Sequence, residues 1–413
     1  MKDVDFIKDF KACPSSSSEN VLAIGPAVNV GEVYVAGAKN GVVSPAGFTA
    51  SVGAGGGFVL GGGTGPMGHF LGLGVDSVVQ FEVVTADGEK KIANDCTNTD
   101  LFWAMRGGGG AFAVTTKTYF KTAPAPTAVN TAVTVLKCQN KDDWKSLMTK
   151  LIQMQVPLRE KGFVGIWQTN SGTWTTAIVN IQPTFSGPIK ELDAFSELLS
   201  PLLNISTCKG ALNAKNWTGT TAWNEAYKTA LLPLLTPSAP GGTNIVSGSR
   251  LIENDLIKSE AGLQKIIDFV HNLDPTVSFI WQNCKRPTLF LVSVYNCTDK
   301  LLLAVGTAAN KISPDATAVH PKWRNTFAFF NLPISGPFNG TTAAQTAVSQ
   351  STLDDADAVF GDTPYYNEMW FLEKDWQHQT WGTNYAKLLE IKGKVDPDNL
   401  FSCARCVGSD IGL

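Results

Sequence analysis

Glycine is concentrated in three clusters that carry the main chemical promise of this chain. They are Val52-Gly53-Ala54-Gly55-Gly56-Gly57-Phe58-Val59-Leu60-Gly61-Gly62-Gly63, Gly72-Leu73-Gly74-Val75-Asp76 and Arg106-Gly107-Gly108-Gly109-Gly110. Glycine loses more backbone freedom on folding than any other residue, so repeated clusters mark positive-φ positions or close approach of the backbone to another body. Consecutive backbone N–H groups in tight turns form concave nests that hold pyrophosphate oxygens without a lysine. The segment is therefore expected to be a cofactor site. A Rossmann fingerprint does not fit: Gly53-Ala54-Gly55 begins the pattern, but Phe58 occupies the place of the third glycine. Dense glycine followed by Val59-Leu60 also argues against a helix start there. No G-K-[ST] follows, which excludes a Walker phosphate loop.

Other chemistry-bearing residues are sparse. Eight cysteines are widely spaced, and their pairing cannot be read from sequence. Cys403-Ala404-Arg405-Cys406 has the spacing of a redox pair or half a zinc site. With no second CxxC and only four scattered histidines, it reads as a local disulfide or two ordinary thiols, and no metal site is expected. Sequons at Asn204, Asn216, Asn296 and Asn339 point towards secretion. Against that, Met1-Lys2-Asp3-Val4-Asp5-Phe6-Ile7-Lys8 has no apolar h-region and reads as carrying no signal peptide.

A chain of 413 residues has room for two or three domains and an ample core. An apolar share of 44%, a charged share of 17% and a net charge of −3 exclude disorder and a polyanion-binding surface. Nucleic acid is not an expected partner. Neither is a membrane, since no uncharged apolar stretch is long enough to span one.

The elements that must position the glycines follow from periodicity and turn chemistry. Val21–Val28 reads as a strand and Val30–Asn40 as an amphipathic helix ended by Gly41. Val78–Val84 and Lys90–Ala93 flank Thr85-Ala86-Asp87-Gly88, which suits a type I′ hairpin. Asn98 or Thr99 can cap a helix over Asp100–Met105, and Ala113–Phe120 alternates as a strand. Ala123-Pro124-Ala125-Pro126 reads as a domain boundary. Beyond it, Thr131–Leu136, Phe163–Gln168, Thr173–Gln182, Ser249–Ile257, Val277–Trp281 and Thr288–Val294 read as strands. Helices are expected around Trp144–Ile152 and over Ile189–Leu203, Ala261–His271 and Lys300–Lys311, with a last one over Asp375–Gly393 before Asp396-Pro397 turns the chain.

A resemblance becomes specific at this point. Thr49-Ala50-Ser51-Val52-Gly53, Gly61-Gly62-Gly63-Thr64-Gly65-Pro66, Gly72-Leu73-Gly74-Val75-Asp76 and Asp100-Leu101-Phe102-Trp103-Ala104-Met105-Arg106-Gly107-Gly108-Gly109-Gly110 resemble the flavin domain of the vanillyl-alcohol-oxidase/PCMH superfamily. Tyr365-Tyr366-Asn367-Glu368, Asp375-Trp376-Gln377, Trp381-Gly382-Thr383-Asn384-Tyr385 and Asp396-Pro397-Asp398-Asn399-Leu400-Phe401 resemble the berberine-bridge tail of fungal FAD-linked oxidases.

The resemblance implies an α+β protein in three parts. Residues 1–125 would form a PCMH-type FAD-binding domain, of which this is the second subdomain. Residues 126–360 would form an α+β substrate domain with a central antiparallel sheet. Residues 361–413 would be a C-terminal segment that packs back on the FAD domain. Ser51, Val52, Gly53, Gly55 and Gly56 would line the loop at the pyrophosphate and isoalloxazine, while Gly61, Gly62, Asp76 and Val114 would support FAD in the same domain. Tyr365, Asn367 and Glu368 would be catalytic, with Tyr365 as base or orienting group. Tyrosine ordinarily titrates near 10, so that role needs a depressed value or an assisting group.

The implied reaction moves hydride from an alcohol, sugar hydroxyl or secondary metabolite to flavin, with dioxygen as acceptor giving hydrogen peroxide. Family members attach FAD through a histidine in an N-terminal subdomain, and no such segment precedes Val21. Thr49 stands near the place of a second attachment cysteine, and Thr64 replaces a histidine frequent in fungal relatives. FAD is accordingly expected to be non-covalent, in a monomer whose full-length relatives are secreted. Two alternatives stay open: an impaired, truncated member acting as a secreted binding protein, and an unrelated carbohydrate-binding or hydrolytic protein.

Overall fold

The computed structural model describes residues 1–170, 173–185, 197, 200–202, 204–205, 207–235, 243–273, 300–304, 309–337 and 343–410. The chain divides into two compact units. One comprises Met1–Pro126, Val305–Thr326 and Thr363–Leu413; the other comprises Thr127–Ala304 and Phe327–Asp362. This division differs from the one expected from sequence in Val305–Thr326, which belongs with the N- and C-terminal segments.

The first unit is built on strands β1 (Val4–Phe10), β2 (Glu19–Ile24), β3 (Val42–Val43), β4 (Val78–Val84), β5 (Lys90–Asn94), β6 (Val114–Lys121) and β7 (Ala123–Pro124). Five of them form an antiparallel sheet in the order β1-β2-β6-β4-β5, and β3 pairs with β7. β1 has no counterpart among the expected strands. The helix Val30–Asn40 has the expected limits. Asn29 and Glu32 close a capping box at its start, and Gly41 ends it at φ +66°.

The β4–β5 connection is not the expected type I′ turn. Only Gly88 has positive φ; Gly88 N–H donates to Thr85 O and Thr85 N–H to Glu89 O, so a type I turn is followed by a left-handed glycine. The Asp87 carboxylate selects this geometry by accepting from Glu89 N–H (3.0 Å) and Thr85 Oγ1 (2.6 Å). Asn98 precedes the helix Thr99–Met105 but does not cap it with its side chain, which donates to Ile92 O instead.

In the second unit, β8 (Ala128–Lys137), β9 (Val164–Asn170), β10 (Thr175–Thr184), β11 (Leu212–Thr218), β12 (Thr243–Glu253), β13 (Lys300–Ala304) and β14 (Thr326–Pro337) form one sheet in the order β11-β8-β10-β9-β13-β14-β12. The pairings β8–β10, β9–β10, β8–β11, β9–β13 and β13–β14 are antiparallel. The helix Lys141–Gln153 buries Trp144, Leu147, Met148, Leu151 and Ile152, the face expected from their spacing. The helix Glu260–His271 is capped by Ser259 and buries Phe269 against Phe330 and Phe360.

The expected helix Lys300–Lys311 opens instead as a strand: Leu301-Leu302-Leu303 runs in β13 between β9 and β14. A short apolar run has no period that separates a central strand from a buried helix. The expected strand Ser249–Ile257 ends at Glu253, where the helix Asn254–Lys258 begins, and the helix Ala343–Phe360 had no sequence counterpart. The strands expected at Val277–Trp281 and Thr288–Val294 lie outside the described residues, as does most of Ile189–Leu203.

The C-terminal segment breaks its expected single helix in two, Trp376–Trp381 and Tyr385–Val395, with a tight turn at Gly382–Asn384. Gly382 sits at φ +54°, where a Cβ would come within 2.7 Å of His320 Nε2. Three disulfides join described cysteines: Cys13–Cys96, Cys138–Cys208 and Cys403–Cys406. The first two close loops of 83 and 70 residues, each worth about 4.5 kcal/mol of lost chain entropy in the unfolded state. Cys403–Cys406 spans only three residues and is worth about 2 kcal/mol on the same scale.

Candidate functional site

The first glycine cluster is held in place by the helix that precedes it. A helix N-terminus leaves its first N–H groups without intrahelical partners. Here Val30 N–H donates to Val52 O (2.9 Å), Gly31 N–H to Ala50 O (3.0 Å) and Glu32 N–H to the Asn29 side chain (3.0 Å). That helix end is thus committed to fixing the bend. On the other side, Ala54 N–H donates to Val28 O (2.9 Å) and Thr118 Oγ1 of β6 to Gly55 O (2.9 Å). Contrary to the sequence expectation, the chain then coils: Ala54–Phe58 makes a wide helical turn interrupted at Gly56 (φ −120°, ψ −120°), and Val59-Leu60 continue helically to Gly61.

The glycines of the clusters fall into two kinds. Ser51, Val52, Gly53 and Gly57 are exposed, and Gly56 is half-buried. A Cβ added at Gly57 would meet nothing within 4 Å, and at Gly53 only Pro26 O at 3.6 Å. Gly53 has φ −69° and ψ 113°, open to any residue. Neither packing nor backbone conformation therefore requires glycine at Gly53, and packing does not require it at Gly57. The inner glycines are different. A Cβ at Gly61 would overlap the Asn367 amide and stand 2.8 Å from the Tyr366 ring. One at Gly109 would lie 2.7 Å from Tyr366 Oη, and one at Gly107 would lie 2.5 Å from Val319 N. Gly62 lies under Tyr365 and Val319, while Gly55 is buried against Gly25 O.

The inner glycines seat the C-terminal arm. Tyr365 is buried, and its Oη accepts from Gly63 N–H (3.2 Å), Thr64 N–H (3.3 Å) and Asn367 Nδ2 (2.8 Å). Asn367 Nδ2 also donates to Phe58 O (3.0 Å), so the exposed Asn367 stands beside the exposed end of the bend. Burial pushes the Tyr365 phenol up to about 12, and the neighbouring Glu368 charge acts in the same direction against the hydrogen bonds from Asn367 and Thr64. A base needs the opposite shift. Tyr365 keeps its proton at neutral pH, and its part in this arrangement is to orient Asn367. Glu368 follows on the same short turn and is half-buried.

Two other sequence-derived residues lie apart from this group. The Asp76 carboxylate is 1% exposed and fully engaged: it accepts from Leu73 N–H (2.9 Å) and pairs through both oxygens with Arg324 (2.9 Å each). It fixes the turn after the second cluster. Val114 opens β6 at 49% exposure, four residues before Thr118. Sequence reasoning missed Arg324, which comes from a segment 248 residues away with no local signal of the pairing.

Lys392 was also missed. It is buried, donates to Ala111 O (2.8 Å) and Phe401 O (2.9 Å), and pairs with Asp396. Burial pushes the Asp396 carboxyl up, but Lys392 and the N–H groups of Phe401 and Leu400 outweigh it and hold it below the ordinary range. Trp381 completes the seat: fully buried, it donates from Nε1 to Gly107 O (2.9 Å).

Whether these residues suit a flavin dinucleotide can be judged from the bend itself. Bare backbone at Gly53 and Gly57 faces outward with no protein atom close enough to account for it, whereas the Gly56 backbone (φ −120°, ψ −120°) itself favours glycine. A large flat ligand with a pyrophosphate needs such a surface. The residues fit.

The family model "Berberine and berberine like" matches residues 364–407. An uncharacterized FAD-linked oxidoreductase of Arthroderma benhamiae is 31% identical over 427 residues, covering all of this chain and 69% of the relative. The FAD-linked oxidoreductase ffsJ of Aspergillus flavipes is 27% identical and covers 94% of the chain. The chain spans 64% of the length of that relative. Among solved structures, the VAO-type flavoprotein MtVAO615 of Myceliophthora thermophila superposes with a TM-score of 0.79 at 22% identity, covering 99% of this chain and 70% of that one. The glucooligosaccharide oxidase of Acremonium strictum gives a TM-score of 0.71 at 20% identity, covering 99% and 80%. The chain belongs to the FAD-linked oxidoreductases, with a berberine-like C-terminal segment and the fold of the VAO-type flavoproteins.

Proposed function

We propose that this chain holds FAD without a covalent link, along the bend Ser51–Gly57 and beside Asn367, and that it serves a secreted, monomeric oxidase of an alcohol or sugar hydroxyl. The observation that carries this reading is the exposed glycine at Gly53 and Gly57, where packing within the chain does not forbid a side chain. When bound, FAD supplies the hydride acceptor and the route to dioxygen, with hydrogen peroxide as product.

The protein's share is binding and orientation. Backbone at Gly53 and Gly56 and the Ser51 hydroxyl take the pyrophosphate, Val52 offers an apolar contact to the ring, and the buried Gly55 holds the bend through Thr118. Gly61 and Gly62 leave room for the arm that carries Asn367, whose amide is set by Phe58 O and the protonated Tyr365. Asp76 supports the site at a distance through Arg324, and Val114 borders it along β6. Glu368 is the carboxylate assigned to take the substrate's hydroxyl proton at its Oε atoms. The carbohydrate choice is supported by the names of similar structures, a glucooligosaccharide oxidase and a chitooligosaccharide oxidase. Secretion is supported by two long-range disulfides and by exposed sequon residues Asn204 and Asn216.

The test is titration of the purified chain with FAD, read by tryptophan quenching and visible flavin absorbance, with Gly53→Val and Gly57→Val beside wild type. Saturable binding lost in both variants supports the cradle; equal binding in all three overturns it. Acid precipitation should leave the flavin in the supernatant. Peroxide release with a panel of alcohols and oligosaccharides tests the oxidase. Flavin binding without any peroxide would favour the secreted binding protein.

A further inference from the structure

The motif Cys403-Ala404-Arg405-Cys406 has no part in the flavin cradle, yet its setting is that of a reactive pair. The two cysteines are joined, with Cys403 exposed and Cys406 buried at 1%. Cys96 is exposed as well, so exposure alone does not single this bond out. Ring size does. A bond that stabilises the folded state more is, by linkage, harder to reduce in that state. Of the three described disulfides, Cys403–Cys406 closes the smallest loop by far.

The backbone on both sides is anchored without it. Leu400 and Phe401 donate to Asp396, Asn399 Nδ2 donates to Gly408 O (3.4 Å), and Asp410 accepts from Gln377 and from Tyr385 Oη. Cys406 Sγ lies 3.7 Å from Tyr366 Oη. Burial raises the Tyr366 phenol, which therefore stays protonated and has a hydrogen to offer a sulfur anion.

We propose that Cys403–Cys406 is a thiol–disulfide exchange site whose reductant is an external dithiol. One thiolate of the dithiol attacks Cys403 Sγ from the solvent side. The S–S bond breaks, and its electron pair leaves on Cys406 Sγ, beside the Tyr366 hydroxyl. The second thiol of the reductant then attacks its own sulfur in the mixed disulfide and releases Cys403. The dithiol loses two electrons to become a disulfide, and the protein gains two electrons and two protons. Flavin takes no part, so this site and the oxidase reading stand or fall separately.

The experiment treats the full native chain with graded dithiothreitol, quenches with iodoacetamide and maps alkylated peptides while circular dichroism follows the fold. The expected result is alkylation of Cys403 and Cys406 at concentrations that leave Cys13–Cys96 and Cys138–Cys208 paired and the spectrum unchanged. Opening of either long-range bond first, or opening of Cys403–Cys406 only with loss of the spectrum, overturns the proposal. Tyr366→Phe should slow opening about tenfold, the loss of one hydrogen bond to a developing charge; a wild-type rate overturns the leaving-group role. In Cys406→Ser, the remaining Cys403 thiol should react with an aromatic disulfide in the native state; an inert thiol overturns attack at that sulfur.

Discussion

The outer bend and the inner glycine clusters share a composition and answer to different demands. At Gly61, Gly107 and Gly109 a side chain would collide with Asn367, Val319 or Tyr366, so glycine there serves the chain's own close packing. At Gly53 and Gly57 a side chain would meet almost nothing, so glycine there serves contact with something other than the chain. Glycine content alone therefore does not delimit a ligand site. The distinction lies in which neighbour the missing Cβ makes room for.

Substitutions should separate the two kinds. The largest effect is expected from Gly107→Ala, where φ is +119° and the new Cβ would strike the Val319 backbone. Backbone strain and overpacking together should cost about 3–5 kcal/mol, read as a lowered urea midpoint. Asp396→Asn should cost a similar or slightly smaller amount, about 3 kcal/mol, because it leaves Lys392 buried without its counter-charge against the inner cluster at Ala111.

The same pair gives a pH dependence. The Asp396 pKa is lower folded than unfolded. Its stabilisation is thus complete above the ordinary carboxylate range, about pH 4, and is lost as the pH falls through the lowered folded value. Asp396→Asn should flatten the acid limb of a plot of stability against pH; an unchanged limb would count against the pair.

Asn367→Ala removes the hydrogen bonds to Phe58 O and Tyr365 Oη and should cost about 1 kcal/mol, with a larger proportional loss in flavin affinity. The smallest stability effect belongs to Gly53→Ala, within about 0.5 kcal/mol of wild type as for other exposed sites. If Gly53→Ala destabilised the chain as much as Gly107→Ala, the distinction between the clusters would collapse.

Local rules were legible where local rules decide. The Val30–Asn40 helix, with Gly41 after it, and the buried face of Lys141–Gln153 follow from spacing and turn chemistry. The Thr85–Glu89 turn was legible in place but not in type, since the Asp87 carboxylate chose between backbone geometries that sequence leaves nearly equal. Leu301–Leu303 is a strand because it pairs with β9 and β14, which lie elsewhere along the chain, and three consecutive leucines carry no alternation to read.

At the candidate site, the sequence by itself determined the residue types: a glycine-rich bend at 53–57, a Tyr-x-Asn arm at 365–367 and a CxxC near the end. Only the tertiary structure decided which glycines face outward, that Tyr365 keeps its proton, and that Asp76 belongs to Arg324. Those outcomes depend on desolvation and on contacts between segments hundreds of residues apart. No local pattern encodes them, because burial is a property of what packs around a group and not of the group itself.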